Sequence, residues 1–160
     1  MHARARELID ALALAPHPEG GHYCRVHTSA LTIRHGDRER PALSAIHFLL
    51  AAGEVSRWHR VDADESWHHA EGDALELFVF DADTRALARH RLGRHDDHGT
   101  SPLIVVPAGC WQAARPLGDY ALVGCSVAPA FEFAGFAMLD AAPAVARLIE
   151  AAAPDLISLA

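Results

Sequence analysis

His59 and Glu65 are the residues whose types and spacing point most directly to chemistry. They stand in the run Gly53-Glu-Val-Ser-Arg-Trp-His59-Arg-Val61-Asp-Ala-Asp-Glu65-Ser-Trp67-His68-His69-Ala-Glu-Gly72. Side chains at i and i+2 of a strand share a face, so His59 and Val61 point the same way, and a tight turn over 62–64 returns Glu65 to that side. A second run, Pro107-Ala-Gly109-Cys-Trp111-Gln112, reads as a turn followed by a strand and sets Gln112, the chain's one side-chain amide, opposite them. In a cavity walled by Val61, Trp67 and Trp111, desolvation and pairing tune His59 and Glu65 towards neutral pH, which equips them as a catalytic acid/base pair for proton transfer.

The same residues read otherwise as metal ligands. His59, Glu65 and Gln112 make three donors with open positions, enough to hold zinc, nickel or iron weakly, although an amide oxygen is a poor ligand beside imidazole. A fourth ligand requires His68 or His69. Strict alternation from Glu65 turns Trp67 and His69 inward and His68 outward, and a bulge exchanges the two histidines. A third reading makes His59 and Glu65 a satisfied buried pair without catalytic work.

Substrate contacts are sought among Gln112, Arg115, Trp67, Trp111, Glu19 and His68. Arg25, Arg60 and Arg115 are the candidate clamps for a carboxylate or phosphate, and Arg115 is preferred because it follows the Gln112 strand most closely. Glu19-Gly20-Gly21 reads either as a turn that closes over the cavity mouth or as a plain helix-to-strand turn. His47, between Ile46 and Phe48, faces either the pocket or a partner subunit. Cys110 reads as a packed small hydrophobe.

Strands must position these groups. Apolar runs broken by Gly, Pro and Asp predict strands over 22–28, 43–50, 55–61, 65–70, 75–81, 87–92, 103–106 and 120–127, the pattern of a sandwich or barrel. Leu8, Ile9 and Leu12 predict an N-terminal amphipathic helix, and Val145, Leu148, Ile149 and Ala152 a C-terminal one with Asp140 as N-cap and Pro143 in its first turn. Residues 34–40 and 94–101 read as exposed loops, with His95-Asp-Asp-His98 a solvated turn rather than a metal pair.

Composition narrows the function. The chain has 160 residues, 51% of them hydrophobic, which suits one domain spanning 1–160 with its core at about 20–140. All 14 basic residues are arginine, and without lysine there is no Schiff-base chemistry and no Gly-Lys-Ser/Thr phosphate loop. A net charge of −7 with scattered arginines argues against nucleic acid as a partner. Three widely spaced cysteines fit no disulfide framework, and no membrane span or signal core is evident, so a cytoplasmic protein is expected.

Gly53, His59, Glu65 and Gly72 fall at the spacing of the first cupin motif, and Pro107 and Gly109 open the second. Val61 and Gln112 stand where that superfamily has its second and third histidines, and Pro116 where it has its trailing asparagine. Together with His17-Pro-Glu-Gly-Gly-His-Tyr23 and Gly118-Asp-Tyr-Ala-Leu-Val-Gly-Cys125, the chain resembles the cupin-5 family from about residue 8 to 140. The resemblance implies an RmlC-like jelly roll, a double-stranded β-helix of mainly β structure with flanking N- and C-terminal helices. It also implies a homodimer and a small polar or anionic metabolite in the barrel. Three activities stay open: an isomerase or epimerase acting on a carbohydrate or keto acid, a metal-dependent cupin enzyme of oxygenase type, and a non-catalytic ligand-binding protein.

Overall fold

The computed structural model describes residues 1–160, and β-strands dominate it. Helix α1 (Ala3–Ala11) leads into strands β1 (Ala15–Pro16), β2 (His22–Thr28), β3 (Thr32–His35), β4 (Arg38–Pro41), β5 (Ser44–Ala51), β6 (Ser56–Val61), β7 (Asp64–Gly72) and β8 (Leu75–Asp81). Then come β9 (Ala86–Leu92), β10 (Thr100–Ser101), β11 (Leu103–Val106), β12 (Trp111–Pro116), β13 (Tyr120–Ala128) and β14 (Phe136–Met138). Helix α2 (Pro143–Ala152) and a 3-10 segment (Pro154–Leu159) end the chain. No helix is long and apolar enough to cross a membrane.

The expected jelly-roll closure does not occur. One six-stranded sheet runs β1-β2-β5-β13-β7-β11, a second runs β10-β9-β8-β12-β6-β14, and no ladder joins them. The strands at the four sheet edges are only two to four residues long, too short to carry a closing ladder, so the sheets stay open.

Alternation along the strands builds three apolar layers. Leu75, Leu77 and Val79 of β8 meet Phe48, Trp67 and Val123 of the other sheet in the central core. Phe78 and Phe80 point the opposite way and join Trp58, Trp111, Ile149 and Leu156 beneath the C-terminal helices. Trp58 Nε1 donates to the Leu156 carbonyl at 2.9 Å and ties that layer down. Ala5 and Leu8 of α1 pack on Leu49 and Leu122 behind the first sheet. Leu8 is the one member of the Leu8-Ile9-Leu12 stripe that is fully buried.

Two local expectations change. Part of the charged segment 34–40 forms the β3–β4 hairpin instead of a loop. Its anchor is Arg40, fully buried, whose Nη1 donates to both carboxylate oxygens of Asp62 at 3.0 Å. Asp140 lies in a 3-10 turn, and Ala142 precedes α2 without a side-chain cap. In the His95–His98 turn, Asp96 accepts from the backbone of His98 and Thr100 and from the Thr100 hydroxyl, which pulls its pKa down to about 2.

Candidate active site

The site forms where β6, β7 and β12 meet the loop between β1 and β2. His17 N donates to the Gly21 carbonyl, Gly20 N to the His17 carbonyl and Arg57 N to the Glu19 carbonyl, which docks the loop onto β6. Gly20 has φ +110°, and a Cβ there would overlap the Val55 carbonyl, so only glycine lets the loop approach this closely. Glu19 is thereby buried instead of hanging over the mouth.

His59 and Glu19 form the centre of the arrangement. His59 Nδ1 lies 2.7 Å from the Arg57 carbonyl, which can only accept, so Nδ1 carries a hydrogen. The other ring nitrogen, Nε2, is 3.3 Å from Glu19 Oε2. Two states satisfy that contact: imidazolium with carboxylate, or neutral imidazole accepting from a carboxylic acid. Burial favours the second, lowering the pKa of His59 and raising that of Glu19. Ser56 Oγ donates to the other Glu19 oxygen at 2.9 Å. His17 Nδ1 lies 3.5 Å from Glu19 Oε2 and accepts from the Glu19 backbone N–H at 3.3 Å; burial lowers the pKa of this ring too.

Glu65 enters the same cavity from β7. Burial raises its pKa to about 7, the nearby Glu19 adds to the rise, and His59 and the Gln112 amide oppose it. Gln112 Nε2 donates to Glu65 Oε2 at 2.7 Å, while Gln112 Oε1 accepts from Trp67 Nε1 at 3.0 Å. Indole nitrogen only donates, so the amide can face just one way. The Cys125 thiol beside Glu65 is held in its neutral form, its pKa raised by burial.

The cavity is small, about 60 Å³, enough for a few waters or a small metabolite. Ile46, Val61 and Val127 line it. Phe131, Phe133 and Phe136 form an edge-to-face cluster on its wall, and Phe136 also lies over the His59 ring with centroids 5.6 Å apart.

Several expected contacts lie elsewhere. Alternation on β12 that turns Gln112 inward turns Trp111 and Arg115 outward. Trp111 packs in the layer under the C-terminal helices, and Arg115 Nε donates to Glu76 at 2.7 Å with its guanidinium over Phe78. Arg60 also faces outward, over the Trp111 ring. His68 is exposed and contacts Ser66, and His69 reaches the Asp73 carbonyl. Trp67 is reached through Gln112 and packs in the central core. Of the three candidate clamps, only Arg25 lines the cavity.

Sequence reasoning missed His17 and Ser56. The Pro-Glu-Gly-Gly turn beside His17 is the signal for the first. Ser56 is hidden by a bulge: Gln112 pairs with His59 but Ala114 with Ser56, so Ser56 and His59 share a face despite their odd spacing.

The expected metal ligands do not fit a metal. Gln112 already engages its oxygen with Trp67 and turns its NH2, which cannot ligate, to Glu65, and Val61 supplies no donor. No group of three or more His, Cys, Asp or Glu side chains is arranged to hold an ion.

Residues 6–139 match the family described as Cupin_5, cupin superfamily (DUF985). Among solved structures, a protein from Shewanella oneidensis is 33% identical with a TM-score of 0.83, covering 95% of this chain and 96% of that one. A hypothetical protein from Leishmania major is 28% identical with a TM-score of 0.80, covering 92% and 97%. Oxalate decarboxylase from Bacillus subtilis, at 16% identity and a TM-score of 0.58 over 86% of this chain and 33% of that one, shares the fold alone. No curated protein matches the chain.

Proposed function

This chain belongs to the Cupin_5 family of the cupin superfamily, and on that premise we propose that it is a proton-transfer enzyme of the isomerase or epimerase kind acting on a small carbohydrate or keto acid. One observation carries the reading: two carboxyls and an imidazole share one small cavity, with Glu65 poised near pH 7 and Glu19 sharing a proton with His59. A general base works best with a pKa near the operating pH, and a general acid must hold a proton it can release.

In this reading Glu65 takes a proton from a carbon beside the substrate carbonyl. The Glu19–His59 pair, holding one proton between Oε2 and Nε2, delivers it to the oxygen that gains charge. Return of the Glu65 proton to a neighbouring carbon, or to the other face of the same carbon once the planar intermediate turns in the site, while an enol hydroxyl gives its proton back to the Glu19–His59 pair, completes isomerisation or epimerisation and restores both groups. Gln112 keeps one oxygen of Glu65 occupied and aims the other, and the apolar wall excludes water. No step uses a metal.

Small 2-keto acids and ketoses incubated with the protein in deuterium oxide and followed by proton NMR test this. The wild type should exchange a carbon-bound hydrogen, and Glu65→Gln should slow exchange by about 100-fold or more. Undiminished exchange in Glu65→Gln refutes the assignment. A tightly bound natural ligand with no exchange in any compound would make the protein a binding module.

A further inference from the structure

The geometry points to Arg25 as the anion anchor of this cavity, and to its substrate as a small monocarboxylic acid with an apolar body, its carboxylate on Arg25 and its hydrocarbon against Ile46 and the phenylalanine wall. This deepens the proton-transfer reading, on which it rests, by naming the substrate class.

Arg25 is the only permanently charged cation lining the cavity. Its side chain is solvent-exposed at the rim, makes one long hydrogen bond, 3.5 Å from Nη1 to Thr28 Oγ1, and pairs with no carboxylate. Arg40, Arg89 and Arg115 are paired with Asp62, Asp155 and Glu76, and of the arginines without a carboxylate partner only Arg25 lines the cavity. A guanidinium at the edge of an apolar cavity, with most of its five donors unspent, is matched in shape and charge by a carboxylate.

Register supplies the reach. Arg25 pairs with Ile46, Ile46 with Cys125 and Cys125 with Trp67, so all four lie on one row of the first sheet. Glu65 lies three strands from β2 on the adjoining row Thr28, Ser44, Val127, Glu65, and the Arg25 guanidinium reaches that row at Thr28; at about 4.8 Å per strand this is about 14 Å of backbone, which the two side chains and the acid between them must span. Cys125 adjoins Glu65. An acid of a few carbons is the length to bridge the guanidinium and the Glu65 carboxyl, and a keto acid would place the carbon beside its keto group next to the proposed base. Single charge is favoured over double, because a phosphate dianion would set two negative charges against one arginine beside two glutamates.

Calorimetric titration of the full chain with monocarboxylates of two to six carbons, each paired with its neutral amide, tests the assignment by binding alone. Acids should bind the wild type at least about tenfold more tightly than their amides. Arg25→Met should erase that preference, and Arg25→Lys, a point charge without the fork, should keep part of it. Equal binding of acid and amide to the wild type overturns the proposal without any variant. So do a preference that survives in a folded Arg25→Met, tighter binding of inorganic phosphate than of any acid, or no acid binding up to about 10 mM. Keto acids held through Arg25 whose hydrogens never exchange refute the proton-transfer reading and leave the anchor standing. Exchange on keto acids whose rate and KM are unchanged in Arg25→Met does the reverse.

Discussion

Replacing Glu65 by glutamine keeps the side chain's shape and its contact with Gln112 while removing one titration from the cavity, so its effect on stability has a worked sign. In the folded protein Glu65 titrates at about 7 against an ordinary 4.5, because burial penalises its charge. Below pH 4.5 the carboxyl is protonated whether the chain is folded or not. Between the two values the unfolded chain releases its proton and the folded chain keeps it, so wild-type stability falls as pH rises, and the loss is complete above about pH 8. The gap between about 7 and 4.5, at about 1.36 kcal/mol per pH unit, comes to about 3 kcal/mol. Glutamine has no such loss. The stability of Glu65→Gln relative to wild type should therefore rise by about 3 kcal/mol between pH 4.5 and 8.5, about 6–12 °C in Tm for a chain of this size. Titrations of His17, His59 and Glu19 are present in both proteins, and the difference also carries the shift that the Glu65 charge imposes on His59. Urea denaturation at half-unit pH intervals measures it, and parallel stability curves for the two proteins would refute a raised Glu65.

Exchange or turnover by the wild type should increase as pH rises through about 7, since Glu65 must be ionised to act as a base; an initial-rate pH profile checks this. Gln112→Leu strips the partner from Trp67 Nε1 and the donor from Glu65, and should cost about 2–5 kcal/mol in urea denaturation. It should also move the activity profile to higher pH, because the amide N–H holds the Glu65 pKa down. Arg40→Met leaves Asp62 without its principal partner beneath the β3–β4 hairpin and should destabilise by about 2–4 kcal/mol, less than a wholly buried pair because Asp62 is partly solvated. Chelator, or added zinc, nickel or iron, should move the Tm by less than about 1 °C, since a ligand stabilises only as far as the native state binds it.

Much of the strand pattern is legible from alternation. The boundaries of β2, β8 and β11 coincide with the predicted runs, although only β11 alternates cleanly: β8 is buried on both faces and β2 is half-buried at its start and exposed beyond Cys24. The β3–β4 hairpin is illegible: its charges suggest a loop, and only the buried Arg40–Asp62 contact explains why it is a strand pair. Closure of the sheets is likewise not written in strand count, since it depends on the length of edge strands that local patterning hardly marks.

The candidate site divides in the same way. Spacing alone brings His59, Glu65 and Gln112 together, because alternation and a tight turn are local rules. Tertiary structure decides what they do there. It buries Glu19 against His59 through a glycine-dependent loop, brings Ser56 onto the same face by a bulge, and turns the Gln112 amide by giving its oxygen to Trp67. It also exchanges Arg115 for Arg25 at the cavity, for which side a residue faces is local, but which strands border one cavity is set by sheet order. The sequence by itself determines the donors. Burial and long-range pairing determine their protonation, since a carboxyl's pKa depends on the solvent and charges around it, and those come from segments distant in the chain.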